Sequence, residues 1–188
     1  MLKKMENPQS LKLAVVKKTN HILQSLMAVH YSAPKGFVGR SICYLVYYND
    51  VCYGAIVGGS ACRFLPGRDE FFGGRKIQEI INNIFFHVEP KDGKYPIRNF
   101  SQKVIALWRD IVKKDWLDKY KTPIVGFETL VELPRTGEVY RRDGWTEVGT
   151  TKGFTCKRIA GKGTDSWSGK RIWDTENLRP KLVFCKSI

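Results

Sequence analysis

The stretch IVGFETLVELPRTGEVYRRDGWTEVGTTKGF, Ile124 to Phe154, decides the fold of this chain. It opens with an apolar run, Ile124 to Phe127, that reads as a buried strand and meets a polar end at Glu128 and Thr129. A Gly-Glu-Val-Tyr-Arg-Arg segment follows, with room for no more than about two helical turns. Gly144 breaks that helix, and the alternation from Trp145 onward starts a second strand.

Upstream, Phe100, Val104, Leu107, Trp108, Ile111 and Leu117 form the apolar stripe of a long helix. Asn99 is placed as its N-cap, and Gln102 completes a capping-box pattern. Before it, Phe85 to Val88 reads as a central strand stopped by Pro90, and Lys91 to Lys94 as a turn. Strand, helix, strand is a βαβ unit, so the sheet has a parallel or mixed core. Ser41 to Val57 reads as a β-hairpin turning at Asn49-Asp50. Leu11 to Val29 has helical spacing, and Lys76 to Ile84 is open between helix and strand. The composition shifts after Phe154. Residues 155–188 carry eight basic and three acidic residues among Gly161, Gly163, Gly169, Trp167 and Trp173. The expected organisation is a catalytic domain over 1–154 and a basic extension over 155–188 packed on it.

A chain of 188 residues, 43% apolar, is one domain with a core of ordinary size. No run reaches the ~18 apolar residues of a membrane span. Lys3 and Lys4 precede no apolar segment of the signal-peptide kind. Five cysteines without CxxC spacing argue against a disulfide framework or a structural zinc, and the chain reads as cytoplasmic. The charge of +14 favours a polyanionic partner, with DNA the first choice.

Within this frame some residues carry chemistry. Glu128 ends a buried strand, where an ionised carboxylate needs a partner. It either pairs with Arg141 or Arg142, or serves as a base toward an amine. His30 is a second candidate base, set against a structural role, while His87 in its apolar strand reads as structural. Arg63 and Arg68 suit phosphate contact, with Phe71 and Phe72 beside them to stack on an unpaired base. The alternative is a structured loop held by Arg68 and Asp69. Asn82 and Asn83 present amides of the kind that read an adenine edge, or else turn the chain. Arg141, Arg142, Lys157, Arg158, Lys170 and Arg171 extend the basic surface for nucleic acid, and the two tail tryptophans either join it or pack on the core. No metal site is expected from the spacing.

These motifs resemble a known group. His30-Tyr31, Val38 to Arg40, Tyr44 to Val46, GSACRFLPGRDEFFG, INN before a strand, RNFS at a helix start, FETLV and GEVYRRDGWTEVGTTKG are similar to DruA-like proteins of the Druantia anti-phage system. More loosely they resemble the phage Mom-like proteins that hypermodify adenine in DNA. Both are GNAT-like. The resemblance covers about residues 28–154. It implies an α/β GNAT-type N-acyltransferase fold, a central twisted mixed sheet flanked by helices, acting on DNA. The implied activity is transfer of a small acyl-type group to a base amine, with the exocyclic amine of adenine first. The alternative is a DNA-binding component of a defence system without catalysis. Tyr140 matches the tyrosine by which GNAT enzymes protonate the thiolate of acetyl-CoA. Acetyl-CoA or a related acyl donor would then meet Arg98, Asn99 and Ser101 at the helix start. That entry lacks the glycines of the usual GNAT pyrophosphate loop, and Glu128 stands where Mom-like proteins carry an aspartate.

Overall fold

A computed structural model describes residues 10–32, 36–74, 76–159 and 170–188. The predicted helix over Leu11 to Val29 is two elements instead. Strand β1 (Leu11–Val16) is followed by helix α1 (His21–Val29). The physical reason is local. Val15-Val16 favours extended backbone. Asn20 then starts the helix afresh, its Oδ1 accepting the Leu23 N–H at 3.1 Å. The hairpin forms as expected from β2 (Ser41–Tyr48) and β3 (Val51–Ser60). Asn49 and Asp50 both take positive φ, the tight-turn conformation that short polar residues tolerate.

After a one-turn helix, α2 (Arg68–Phe71), the ambiguous segment resolves as strand β4 (Ile80–Val88). Helix α3 (Phe100–Tyr120) crosses back to β5 (Gly126–Glu132), and β4 and β5 are parallel, which makes the βαβ unit. A five-residue helix, α4 (Glu138–Arg142), leads into β6 (Thr146–Thr150). Strands β7 (Thr155–Ile159) and β8 (Lys170–Asp174) pair with each other, and β9 (Lys181–Ser187) follows.

The main sheet has the order β1-β2-β3-β4-β5-β9-β6. The sequence boundary at 154 therefore does not divide the fold: β9 lies inside the sheet, between β5 and β6, and its Val183, Phe184 and Cys185 are buried. Leu182 to Cys185 is a continuous apolar run, as suits a strand with neighbours on both sides. Only the β7–β8 pair stands apart. The side chains of Lys157, Arg158, Lys170, Arg171 and Trp173, and the whole of Trp167, lie outside the described positions.

Three clusters fill the molecule. On one face α3 lays Phe100, Val104, Trp108, Val112 and Trp116 against Tyr44, Ile56, Ile81 and Phe127. On the other, α1 packs Leu23 and Met27 on Leu45, Val57 and Phe85. Phe71 and Phe72, expected as base-stacking aromatics, instead pack the third cluster with Ile80, Val183 and Cys185. No described helix is long and apolar enough to cross a membrane.

Candidate active site

The parallel contact between β4 and β5 is short. Ile80 to Asn83 pair with Gly126 to Thr129, and from there the strands part. β4 continues to Val88 along β3, with a bulge between Val57 and Gly58 of β3 that leaves Ile84 without a register partner. β5 continues along β9 over its whole length. Beyond Asn83 and Thr129 the facing edges thus bound an opening. A cleft of about 1000 Å³ fills it, lined by His30, Tyr31, Cys62, Asn82 to Val88, Thr129 to Val131 and Pro134 to Tyr140, among others.

Tyr140 stands in this cleft because the chain before it is tightly bent. Gly137 takes φ +71, and a Cβ there would meet the Phe184 ring at 2.5 Å, so the entry to α4 needs a glycine. Arg109 of α3 holds the far end of α4 through both oxygens of Asp143, at 2.8 and 3.1 Å, and Trp145 Nε1 donates to the same carboxylate at 2.8 Å. Trp145 is buried against Tyr140 and Phe127, the packing role expected of it. Tyr140 Oη donates to Asn83 Oδ1 at 2.7 Å. Burial raises the phenol above its ordinary pKa, so it keeps its proton. Asn83 is fully engaged: its Nδ2 lies 3.3 Å from both Val57 O and Phe85 O. It therefore has no amide edge left to read a base.

Glu128 is completely buried and has a partner, but not the expected one. Arg141 pairs with Glu147 and Arg142 with Glu138 on the surface. The cation at Glu128 is Arg68, 3.1 Å from Oε2, while Oε1 accepts the Cys62 N–H at 2.6 Å. Both carboxylate oxygens accept, the pattern of the ionised form. Burial raises the carboxyl pKa against the pull of these donors. Cys62 and Asn82 line the cleft; Glu128 is not among its lining residues. Arg68 is as buried as Glu128, so it is no phosphate contact. Its guanidinium also holds Asp69 at 2.7 Å and the Cys62 and Arg63 carbonyls. Arg63 itself is exposed beside Phe64.

The mouth of the cleft on the α1 side is aromatic. His30 lies 4.2 Å from Tyr31, 4.8 Å from Phe85 and 5.5 Å from His87, ring centre to ring centre. Arg135 stacks 3.5 Å over Tyr31. Burial, then the His87 charge, lowers His30 to a pKa of about 4, which keeps the imidazole neutral near pH 7. His87, expected as structural, lines the cleft and meets Glu89 at 2.7 Å. No described group of three or more His, Cys, Asp or Glu side chains is placed to hold a metal.

Adjoining the cleft through Tyr95, Ser101, Glu138 and Val139, a second hollow of about 640 Å³ lies around the start of α3, lined by Lys94, Arg98, Asn99 and Gln102 among others. The capping box does not form there. Asn99 takes φ +57 and makes no side-chain cap, and Gln102 Nε2 donates instead to Arg142 O at 2.7 Å. With no side-chain cap from Asn99 and no acidic residue in the first turn, the helix start suits an anion. Of the residues singled out from the sequence, Tyr140, His30 and the start of α3 line these two hollows and Glu128 lies behind them. Sequence reasoning missed Asn83 as the phenol's partner and Arg135 over Tyr31. The signal for the first was there: two adjacent amides inside an apolar strand.

The architecture is that of the GNAT acetyltransferases. The chain is similar to an acetyltransferase from Bacillus subtilis in complex with CoA, at 12% identity and a TM-score of 0.58, over 95% of this chain and 99% of that one. It is similar also to a GNAT family acetyltransferase from Elizabethkingia anophelis with acetyl-CoA bound, at 11% identity and 0.55, over 95% and 98%. A third is an IAA acetyltransferase from Bacillus cereus, at 10% identity and 0.57, over 95% and 100%. No family model and no curated protein matches the chain.

Proposed function

We propose that this protein is an N-acyltransferase that takes an acyl group from a CoA thioester, acetyl-CoA first, and passes it to an amine of a DNA base. The observation that carries the acyl-transfer reading is the opening where β4 and β5 part, with Tyr140 inside it and the uncapped start of α3 beside it. The residues present fit such a donor. The N–H groups of the first α3 turn, with Lys94, Arg98 and the Ser101 hydroxyl, suit a diphosphate. The unpaired edge of β4 beyond Asn83 suits an extended chain of amides. When bound, the thioester supplies an activated acyl carbon and a thiolate leaving group.

The chain's own residues supply the rest. Tyr140 holds a proton at Oη in the opening, kept there by burial and directed by Asn83. Neutral His30, its Nδ1 met by the Ser32 hydroxyl and N–H, stands in the aromatic mouth, where Tyr31, Phe85 and His87 make flat surfaces for a planar ring. Glu128 acts through its neighbours, fixing the Cys62 backbone from behind. The base-amine acceptor is supported by the +14 charge and by the similarity to Mom-like and DruA-like sequences. A base reaching this mouth must leave the stack.

The test has two arms. Equilibrium dialysis with acetyl-CoA should show binding that desalting reverses; its absence ends the acyltransferase reading. Nucleoside mass spectrometry of DNA incubated with protein and donor should show an acylated base. DNA affinity should fall about a thousandfold from about 50 to about 200 mM salt if ~6 phosphates are neutralised. Donor binding with unmodified nucleosides moves the acceptor from DNA to another amine, and DNA binding without donor binding favours the non-catalytic defence component.

A further inference from the structure

In the lining of the cleft, Asn82 carries a buried oxygen that none of the described residues satisfies. The residue is 3% exposed, and its Oδ1 has no hydrogen-bond partner among the described residues. An unmade hydrogen bond at a buried amide oxygen is costly, so a fold that keeps one beside a cleft has a use for it.

Which end of the amide is free follows from its neighbours. Asn82 Nδ2 donates to Cys62 Sγ at 3.2 Å. Burial pushes the Cys62 thiol up to about 12, so the sulfur stays a neutral thiol and accepts the amide N–H. Arg68 and the Cys62 amide hold Glu128 in place. With Nδ2 on the sulfur, the end of the Asn82 amide left over is Oδ1. Asn83 offers nothing comparable, since both ends of its amide are engaged.

We propose that Asn82 is the specificity-determining residue for the acceptor: its Oδ1 takes a hydrogen bond from the N–H that an acceptor amine keeps, so the site selects primary over secondary amines. This rests on the acyl-transfer reading. In the transfer a C–N bond forms and the thioester C–S bond breaks. The amine gives up one proton and the departing sulfur takes one. A primary amine begins with two N–H bonds and the amide product retains one. An N-methylated amine begins with one and loses it, so it leaves Asn82 Oδ1 unsatisfied in the transition state.

The experiment compares acceptor pairs that differ by one methyl group: benzylamine with N-methylbenzylamine, and an oligodeoxyadenylate with the same strand methylated on the exocyclic amines. Acylated product is measured by mass spectrometry with acetyl-CoA as donor. The wild type should prefer the primary amine by ~10-fold or more in kcat/KM. Asn82→Leu, close in shape and without the oxygen, should bring the ratio near one while acetyl-CoA affinity by dialysis stays the same. A wild type that binds acetyl-CoA and acylates both members equally, or neither member of either pair, overturns the proposal, and this needs no variant. A preference that survives in Asn82→Leu also overturns it. A wild type that fails to bind acetyl-CoA fails at the earlier step, and that outcome overturns the acyl-transfer reading with everything built on it.

Discussion

Replacing Arg68 by Met should expose how much of the site's framework rests on one buried cation. Met keeps most of the side-chain length and none of the donors. The guanidinium it removes is fully buried and binds Glu128 Oε2 at 3.1 Å, Asp69 at 2.7 Å and the Cys62 carbonyl. Glu128, equally buried, then keeps only the Cys62 N–H. Removing one partner of a buried pair costs about 3–5 kcal/mol. A second route gives a similar figure. The stranded carboxyl escapes by taking a proton, and doing so at pH 7 from an ordinary pKa of about 4.3 costs about 4 kcal/mol. For a chain of this length that corresponds to a fall in Tm of roughly 10 °C. The second route fixes the sign of the pH dependence. A raised folded pKa means the native mutant binds the proton and the unfolded chain does not. Its deficit against the parent is therefore small at acid pH and grows by about 1.4 kcal/mol per pH unit once the parent's own Glu128, itself raised by burial, has ionised, up to the full cost. The assay is urea unfolding followed by tryptophan fluorescence at pH 5 and pH 7. Arg68→Met with Glu128→Leu should recover most of the loss, since an apolar pair leaves no orphan charge. A single mutant within about 1 kcal/mol of the parent at pH 7, or a double mutant worse than the single, refutes the reasoning.

Tyr140→Phe should slow transfer by ~10²–10⁴ with acetyl-CoA affinity unchanged, and cost about 1–3 kcal/mol of stability because Asn83 Oδ1 loses its donor. Steady-state kinetics beside a urea melt separates the two effects, and unchanged turnover returns Tyr140 to a packing role. His30 has a folded pKa of about 4 against an ordinary 6.5. The stability tied to its neutral form is whole above pH 6.5 and is lost as pH falls toward 4, with a ceiling of about 3 kcal/mol. His30→Gln should show a shallower loss over that window in urea midpoints, and parallel curves would sink the argument.

Much of the fold was legible because periodicity reports burial. The βαβ unit, the hairpin at Asn49-Asp50 and the short helix ending at Gly144 all form where the pattern places them. Leu11 to Val29 misled because two short elements in sequence, each apolar on one side, imitate one long amphipathic helix. β9 was hidden for a different reason. Its pairing with β5 and β6 joins residues far apart in the chain, and nothing local announces such a contact. The site divides in the same way. Tyr140 stands out by its place near the end of a short helix and Glu128 as a carboxylate after an apolar run, although β5 does not end there as expected but runs on to Glu132, because β9 pairs it over its whole length. Arg68 does not stand out, since a sequence cannot say which of several arginines faces inward. The charge run that read as a nucleic-acid surface contains this buried structural cation and two arginines with surface carboxylate partners.

The sheet is two antiparallel halves, β1 to β4 and β5-β9-β6, joined by one four-residue parallel contact. β4 follows β3 and β5 follows β9, so the strands part wherever those two partners lead them apart. The opening is thus a consequence of strand pairing on its outer flanks. The side chains crossing the seam are the ones the chemistry needs. Arg68 and the Cys62 amide come from the first half and bind Glu128 of the second. Tyr140 and Thr129 come from the second half and bind Asn83 of the first, at 2.7 and 3.0 Å. A proton donor held by a bond across the seam is correctly placed only when the two halves are correctly set. The orientation of the halves and the geometry of the reactive groups are then one property, and a perturbation on the outer flank of either half, far from the cleft, reaches the site through the register of β4 against β5.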